Sequence, residues 1–273
     1  MEIRNDSHVY NLSDAVGRSQ VYNMYLCATE TGRQCLLLIA SLIEQNGVLD
    51  RIVYILRELK ACADEIEKEY EVVKKGEKHF LNYDLEFPEV VDSFVCHEQG
   101  DRRIVILAFR NVEEPRSMVP LSNITAKDRR RVDLKTSAWI LGKLLKLLVF
   151  AHSEEFAVGQ MTGSNILIEP EKHYVVVFDW ALTQICPGGI PIDQRRQNIA
   201  HAARSIVLAL GGDPTKGIPD DPGCKDGFVR YADHILRLAR GSESNAQRAH
   251  AAFYDLVEQI WGRKFHKFTT FPL

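Results

Sequence analysis

Short apolar runs separated by polar turns dominate the start of the chain. Val21 to Ala28 and Cys35 to Ala40 flank Thr29-Glu30-Thr31-Gly32-Arg33, which predicts a hairpin within residues 8 to 42. The period then changes. Leu49, Ile52, Val53, Leu56, Leu59 and Ile66 recur at helical spacing, so one long helix is expected over 48 to 75. Val90 to Phe109 returns to strand patterning, as two runs about His97-Glu98-Gln99-Gly100-Asp101. Pro115 and Pro120 mark Asn111 to Ser122 as a connector. Beyond it, helical patterns cover 128 to 152, 193 to 210, 226 to 240 and 244 to 262. One strand pair interrupts them: Ile166-Leu167-Ile168 and Val175-Val176-Val177-Phe178, around the polar turn Glu169 to His173. Asn165 opens the first of these runs and Asp179 closes the second, so an amide oxygen and a carboxylate could meet at one end of a hairpin. Hard divalent cations take oxygen ligands of this kind and share them with phosphates.

Composition narrows the class. A 273-residue chain with 45% hydrophobic and 26% charged residues can bury the core of one large domain or of two lobes. A net charge of -3 argues against general nucleic-acid binding. Cys27, Cys35, Cys62, Cys96, Cys186 and Cys224 show no metal-ligand spacing and several lie in apolar runs, which suits reduced thiols of a cytoplasmic protein. Met1 to Asp6 lacks the apolar core of a signal peptide. No apolar run approaches the ~20 residues that span a bilayer, and Lys143 and Lys146 interrupt the most hydrophobic helix, so no membrane association is expected. The histidines show no paired metal-binding spacing, and no Gly-x-Ser-x-Gly elbow is present. Lys127, Arg129, Arg130, Arg131 and Lys135 cluster at an expected helix start, which reads as a solvated face or a docking patch. The aromatic and basic tail from Trp261 to Phe268 is expected to pin the chain end.

Asn165, strand, turn, strand and Asp179-Trp180-Ala181, preceded by the long amphipathic helix Leu134 to His152, resembles the catalytic and metal-binding loops of the protein-kinase-like fold. The resemblance implies a two-lobed α+β architecture. A β-rich N-lobe with one long helix would span 1 to 109, a connector 110 to 122, and a helical C-lobe with a short activation segment 123 to 273. It also implies ATP, or another nucleotide, held with Mg²⁺ or Mn²⁺ on Asn165 and Asp179 at the cleft between the lobes.

The family's other signature positions depart from its pattern. The catalytic Asp falls on Gln160, a neutral amide that cannot serve as a base near pH 7. The phosphate-binding lysine of the third strand falls on Leu38, with Arg18 as the candidate substitute cation. The glycine-rich loop falls on Ala15 to Val21, where Gly17 is the lone glycine and Val21 follows the turn. Glu58 occupies the position of the helix glutamate, and Leu167 that of the residue beneath the adenine. Thr162 stands where a second cation would be, Asn198 where a buried aspartate would be, and Thr183 is the one hydroxyl of the segment 181 to 192. The resemblance with these losses implies a pseudokinase-like binding or scaffold module, with weak metal-nucleotide binding, little or no phosphoryl transfer and another protein as its signalling partner. The alternative is an active atypical protein kinase or small-molecule phosphotransferase.

Overall fold

A computed structural model describes residues 1–5, 7–73, 80–220, 227–262 and 264–273. Cys224, Arg263 and the start of the helix expected at 226 lie outside them. The chain divides into two compact units, Met1–Met118 and Val119–Leu273.

The first unit is an antiparallel sheet with one helix. Its strands are β1 (Glu2–Arg4), β2 (Val9–Arg18), β3 (Tyr22–Thr29) and β4 (Gln34–Ala40), then helix α1 (Asn46–Val73), then β5 (Glu89–Cys96) and β6 (Arg102–Ala108). The strand order is β1-β2-β3-β4-β6-β5. The two ends of this order meet. Asn5 Nδ2 and Tyr10 Oη donate to Asp92 Oδ2 on β5 at 2.6 and 2.7 Å, so the sheet curls toward closure. Its concave core gathers Ile3, Tyr10, Leu37, Ile39, Ile104 and Ile106. The two hairpins and the start of the long helix match the hydrophobic pattern to within two residues, and the expected helix end at 75 lies outside the described residues. Helix α1 packs on β5 and β6. Asn46 fastens its start by donating to Asp101 O at 2.8 Å and accepting from Arg103 N at 2.7 Å.

The second unit begins with β7 (Val119–Pro120), α2 (Leu121–Ala126), β8 (Arg130–Val132) and α3 (Leu134–Ser153). It continues through β9 (Phe156–Ala157), β10 (Ile166–Glu169), β11 (Tyr174–Val177) and β12 (Gln184–Ile185). Helices α4 (Ile192–Ala209), α5 (Phe228–Ala239) and α6 (Ala246–Trp261) and strand β13 (Thr270–Pro272) complete it. The expected helix 128–152 starts later, at Leu134, because Asp133 caps it through Thr136 N at 2.7 Å. The residues before it form β8, whose partner β13 is 140 residues away in sequence. No local pattern announces such a pairing. It also spends part of the basic cluster: Arg130 donates to Thr270 and Arg131 to the carbonyls of Pro219 and Asp220. The tail is held by β13 and by His266, whose Nε2 meets Asp133 Oδ2 at 2.7 Å, whereas Phe265 is 80% exposed.

Among the described residues no helix is long and apolar enough to cross a membrane. The described cysteines are free thiols, with Cys27, Cys35 and Cys96 buried. Burial pushes the Cys27 thiol up to about 12, so it is unreactive near neutrality.

Candidate functional site

The loop between β9 and β10 is pinned from three sides. Asn198 on α4 is buried and holds Val158 twice: its Oδ1 accepts from Val158 N at 3.0 Å and its Nδ2 donates to Val158 O at 2.5 Å. The same oxygen lies 3.0 Å from His152 Nε2. Burial holds the His152 imidazole below its ordinary pKa and Arg195 acts in the same direction, while the Asn198 bond opposes them. The neutral ring therefore donates from Nε2. Ser205, about two turns further along the same face of α4, donates to Met161 O at 2.6 Å. Nothing in the sequence marks Ser205, a single hydroxyl among alanines and isoleucine on the buried face.

Asn165 supplies the third anchor. Its Nδ2 donates to Gln160 O at 2.8 Å and to Asp179 O at 3.0 Å, and its Oδ1 accepts from Asp179 N at 2.6 Å. The hairpin register explains the meeting, because Ile166 pairs with Val177 and both loop residues emerge at the same end. Asp179 Oδ1 in turn accepts from Ala181 N at 2.8 Å. The next residue, Trp180, is fully buried, and its indole N–H donates to Val177 O at 2.8 Å. Asn165 and Asp179 are thus adjacent, as the pattern anticipates. The amide is largely committed to backbone, with one oxygen lone pair remaining.

A divalent cation here would be met by the Asp179 carboxylate and that remaining lone pair. Two oxygen ligands fit Mg²⁺, which commonly keeps waters and takes the rest of its shell from phosphates. Among the described residues no group of three or more His, Cys, Asp or Glu side chains could hold a metal without such help.

Gln160 is exposed, at the place where the loop presents its side chain. Leu167 is half-buried on β10, between Val176 and Pro120 of the neighbouring strands. Thr183 is fully buried, and β12 pairs with β9, so the short segment after Asp179 is strapped to the strand preceding the loop. Gly159 permits this closeness: a Cβ there would lie 2.6 Å from the Leu182 carbonyl oxygen.

In the first unit, Gly17 and Arg18 lie within β2 rather than in a loop. The turn that follows is tight. Ser19 N donates to Tyr22 O at 2.9 Å, and Ser19 Oγ accepts from Val21 N and Tyr22 N at 3.1 and 3.0 Å. Backbone N–H groups that could cradle phosphate in a longer glycine loop are bound to this hydroxyl instead. The register separates Arg18 from Leu38. Arg18, Asn23 and Ile39 are cross-strand partners on one face, while Gly17, Met24 and Leu38 share the other. Arg18 therefore does not stand over Leu38 as a substitute cation. Leu38 is buried and Glu58 half-buried on α1.

Comparison with known proteins gives fold alone. No protein-family model matches the chain, and no curated protein does. Solved structures match along almost its whole length. A structure of vaccinia related kinase 3 aligns with TM-score 0.66 at 14% identity, over 95% of this chain and 90% of that one. A doubly substituted variant of the Mycobacterium tuberculosis PknI kinase domain aligns with TM-score 0.57 at 12% identity, over 91% of this chain and 96% of that one. The fold is protein-kinase-like, a curled antiparallel sheet unit followed by a helical unit.

Proposed function

We propose that this protein-kinase-like chain is a pseudokinase-type binding module that performs little or no phosphoryl transfer. One observation carries the reading. The loop from Val158 to Asn165 is held by Asn198, Ser205 and Asn165, yet it offers an exposed amide, Gln160, where transfer needs a carboxylate. Phosphoryl transfer relies on positioning and charge stabilisation. Losing the base, the strand lysine and the glycine loop removes terms each worth on the order of 10²–10³ in rate.

Nucleotide binding in this reading is weak and metal-dependent. ATP or a related nucleotide would bring Mg²⁺ or Mn²⁺ to Asp179, with Asn165 chiefly holding the two loops in place. The metal would neutralise phosphate charge beside Asp179. The segment after Asp179 is short and strapped down, with its hydroxyl Thr183 buried. That leaves little platform for a peptide substrate, so the module's output is occupancy read by a partner protein.

The test is radiolabelled ATP with purified protein and Mg²⁺ or Mn²⁺, with Asp179→Ala as blank, beside calorimetric titration of ATP. The expected result is no transfer above blank, and weak ATP binding that loses its metal dependence in Asp179→Ala. Robust transfer abolished by Asp179→Ala would instead establish the atypical kinase or small-molecule phosphotransferase alternative. Tight ATP binding indifferent to metal and to Asp179→Ala would overturn the assigned metal role.

A further inference from the structure

The helical unit carries a cavity of about 590 Å³ whose lining includes no residue of the loop 158–165 or of the segment 179–183. Its walls are one face of α3 and one face of α6, closed at the end by the tail after Trp261. Lys135, Trp139, Lys143 and Lys146 recur along α3 at spacings of three and four residues, which puts them on one stripe. From α6 come His250, Phe253, Tyr254 and Trp261. Gly142 also lines the cavity, opposite Phe253. The volume is in the range of small-molecule sites.

Two features specify what fits. The first is flat aromatic surface. Trp139, His173 and Phe265 form a parallel ladder, with ring centroids 4.5 and 4.6 Å apart and interplanar angles of 6° and 8°. His173 is sandwiched in this ladder, so a planar partner would stack on the outer ring faces of Trp139 or Phe265. The second is charge. Among the described residues Lys135, Lys143, Lys146 and Lys264 line the cavity together with one carboxylate, Glu258, so cations outnumber anions there on a chain whose net charge is -3. Burial lowers the pKa of His173, with His266 and to a lesser extent Lys143 acting in the same direction against Glu169, and burial followed by Lys146 lowers that of His250. Lysines on a helix face are commonly dispersed in solvent, whereas Lys135, Lys143 and Lys146 are half-buried beside aromatic rings.

We propose that this cavity is a binding site for a small planar aromatic anion, a carboxylate, sulfonate or phosphate ester on a flat ring system. The ring lies against the aromatic walls and the anionic group meets the α3 lysines. The site is independent of nucleotide binding near Asp179.

The experiment is calorimetric titration of the full chain with 2-naphthoate, with neutral 2-naphthamide and aliphatic laurate as comparison arms. Naphthoate is expected to bind with Kd at or below about 1 mM, and at least about tenfold tighter than either comparison ligand. Combined Lys135→Gln, Lys143→Gln and Lys146→Gln should weaken it at least about tenfold. Trp139→Phe should reduce the tryptophan quenching on binding, the remainder coming from Trp261. Asp179→Ala should leave the naphthoate affinity unchanged. If the triple variant does not fold, the wild type's salt dependence serves instead: naphthoate affinity should fall with salt and naphthamide affinity should not. No naphthoate binding, equal affinity for the amide, tighter binding of laurate, indifference to the lysine changes or to salt, or loss in Asp179→Ala would each overturn the proposal.

Discussion

Asn198 grips Val158 from both sides, accepting its N–H and donating to its carbonyl, and it also takes a hydrogen bond from His152. An amide is suited to this because it is both donor and acceptor, where a carboxylate at neutral pH only accepts. Asn198→Asp should therefore turn the Val158 carbonyl toward a buried charge. We expect it to cost about 1–3 kcal/mol, measured by urea unfolding, and Asn198→Ala to cost at least as much. An Asn198→Asp variant as stable as wild type would show that the donor to Val158 O contributes little.

Asn165 ties two loops together through three backbone hydrogen bonds. Asn165→Ala removes all three of these part-buried bonds and should cost roughly 2–4 kcal/mol. Asp179→Ala removes the side-chain acceptor for Ala181 N while leaving the backbone clasp to Asn165 in place, and should cost less, about 1 kcal/mol. Equal stabilities of wild type and Asn165→Ala in urea would mean that the clasp is not structural.

Gly159 lies where the Leu182 backbone leaves no room for a Cβ. Gly159→Ala should overpack that contact at a cost of about 1–3 kcal/mol. Proteolysis between Trp180 and Pro191 should accelerate in the variant, because displacement of Leu182 strains the β9–β12 pairing. An unchanged cleavage rate there would count against the strap.

Five histidines, His152, His173, His201, His234 and His250, have pKa values lowered chiefly by burial. The unfolded chain binds their protons near pH 6.5, whereas the folded chain resists until lower pH. Their neutral forms thus favour the fold above pH 6.5, and stability declines as pH falls below that value toward the folded-state pKa values. Each contributes at most about 1.4 kcal/mol per pH unit across its window. Urea midpoints measured at pH 7.5 and 5.5 should differ, with the lower at pH 5.5. The difference should shrink in His234→Gln, which removes one of these burial-lowered groups from its tilted contact with Phe253. Equal midpoints at the two pH values would contradict the assignment.

Trp180 is fully buried and hydrogen-bonded to Val177 O. Trp180→Phe removes that donor and leaves a void, at a cost of about 2–4 kcal/mol. Thermal melting with intrinsic fluorescence measures both the loss and the missing emission of a buried indole.

Much of this was legible in the chain because it is local. Period-two and period-3.6 patterns are written by residues that face one core, so β3, β4, α1, β5 and β6 could be placed from Val21 to Phe109 without coordinates. The same holds for Asn165 and Asp179. A short hairpin with Asn at its entry and Asp at its exit brings the two together through strand register alone. The losses at Leu38 and Gln160 are likewise statements about residue identity.

What escaped the sequence depends on partners distant along the chain. β8 exists only because β13 returns beside it, and Ser205 matters only because α4 passes beneath Met161. Arg18 looked like a substitute for the missing lysine until register put it on the sheet face opposite Leu38, a distinction of one residue that propensity cannot resolve. The cavity between α3 and α6 is the extreme case. Its lysines read as interruptions of an apolar helix, and its rings come from α3, α6, the β10–β11 turn and the tail. Each element had its own local reason to form, but only packing gathered their cations and ring faces around one space.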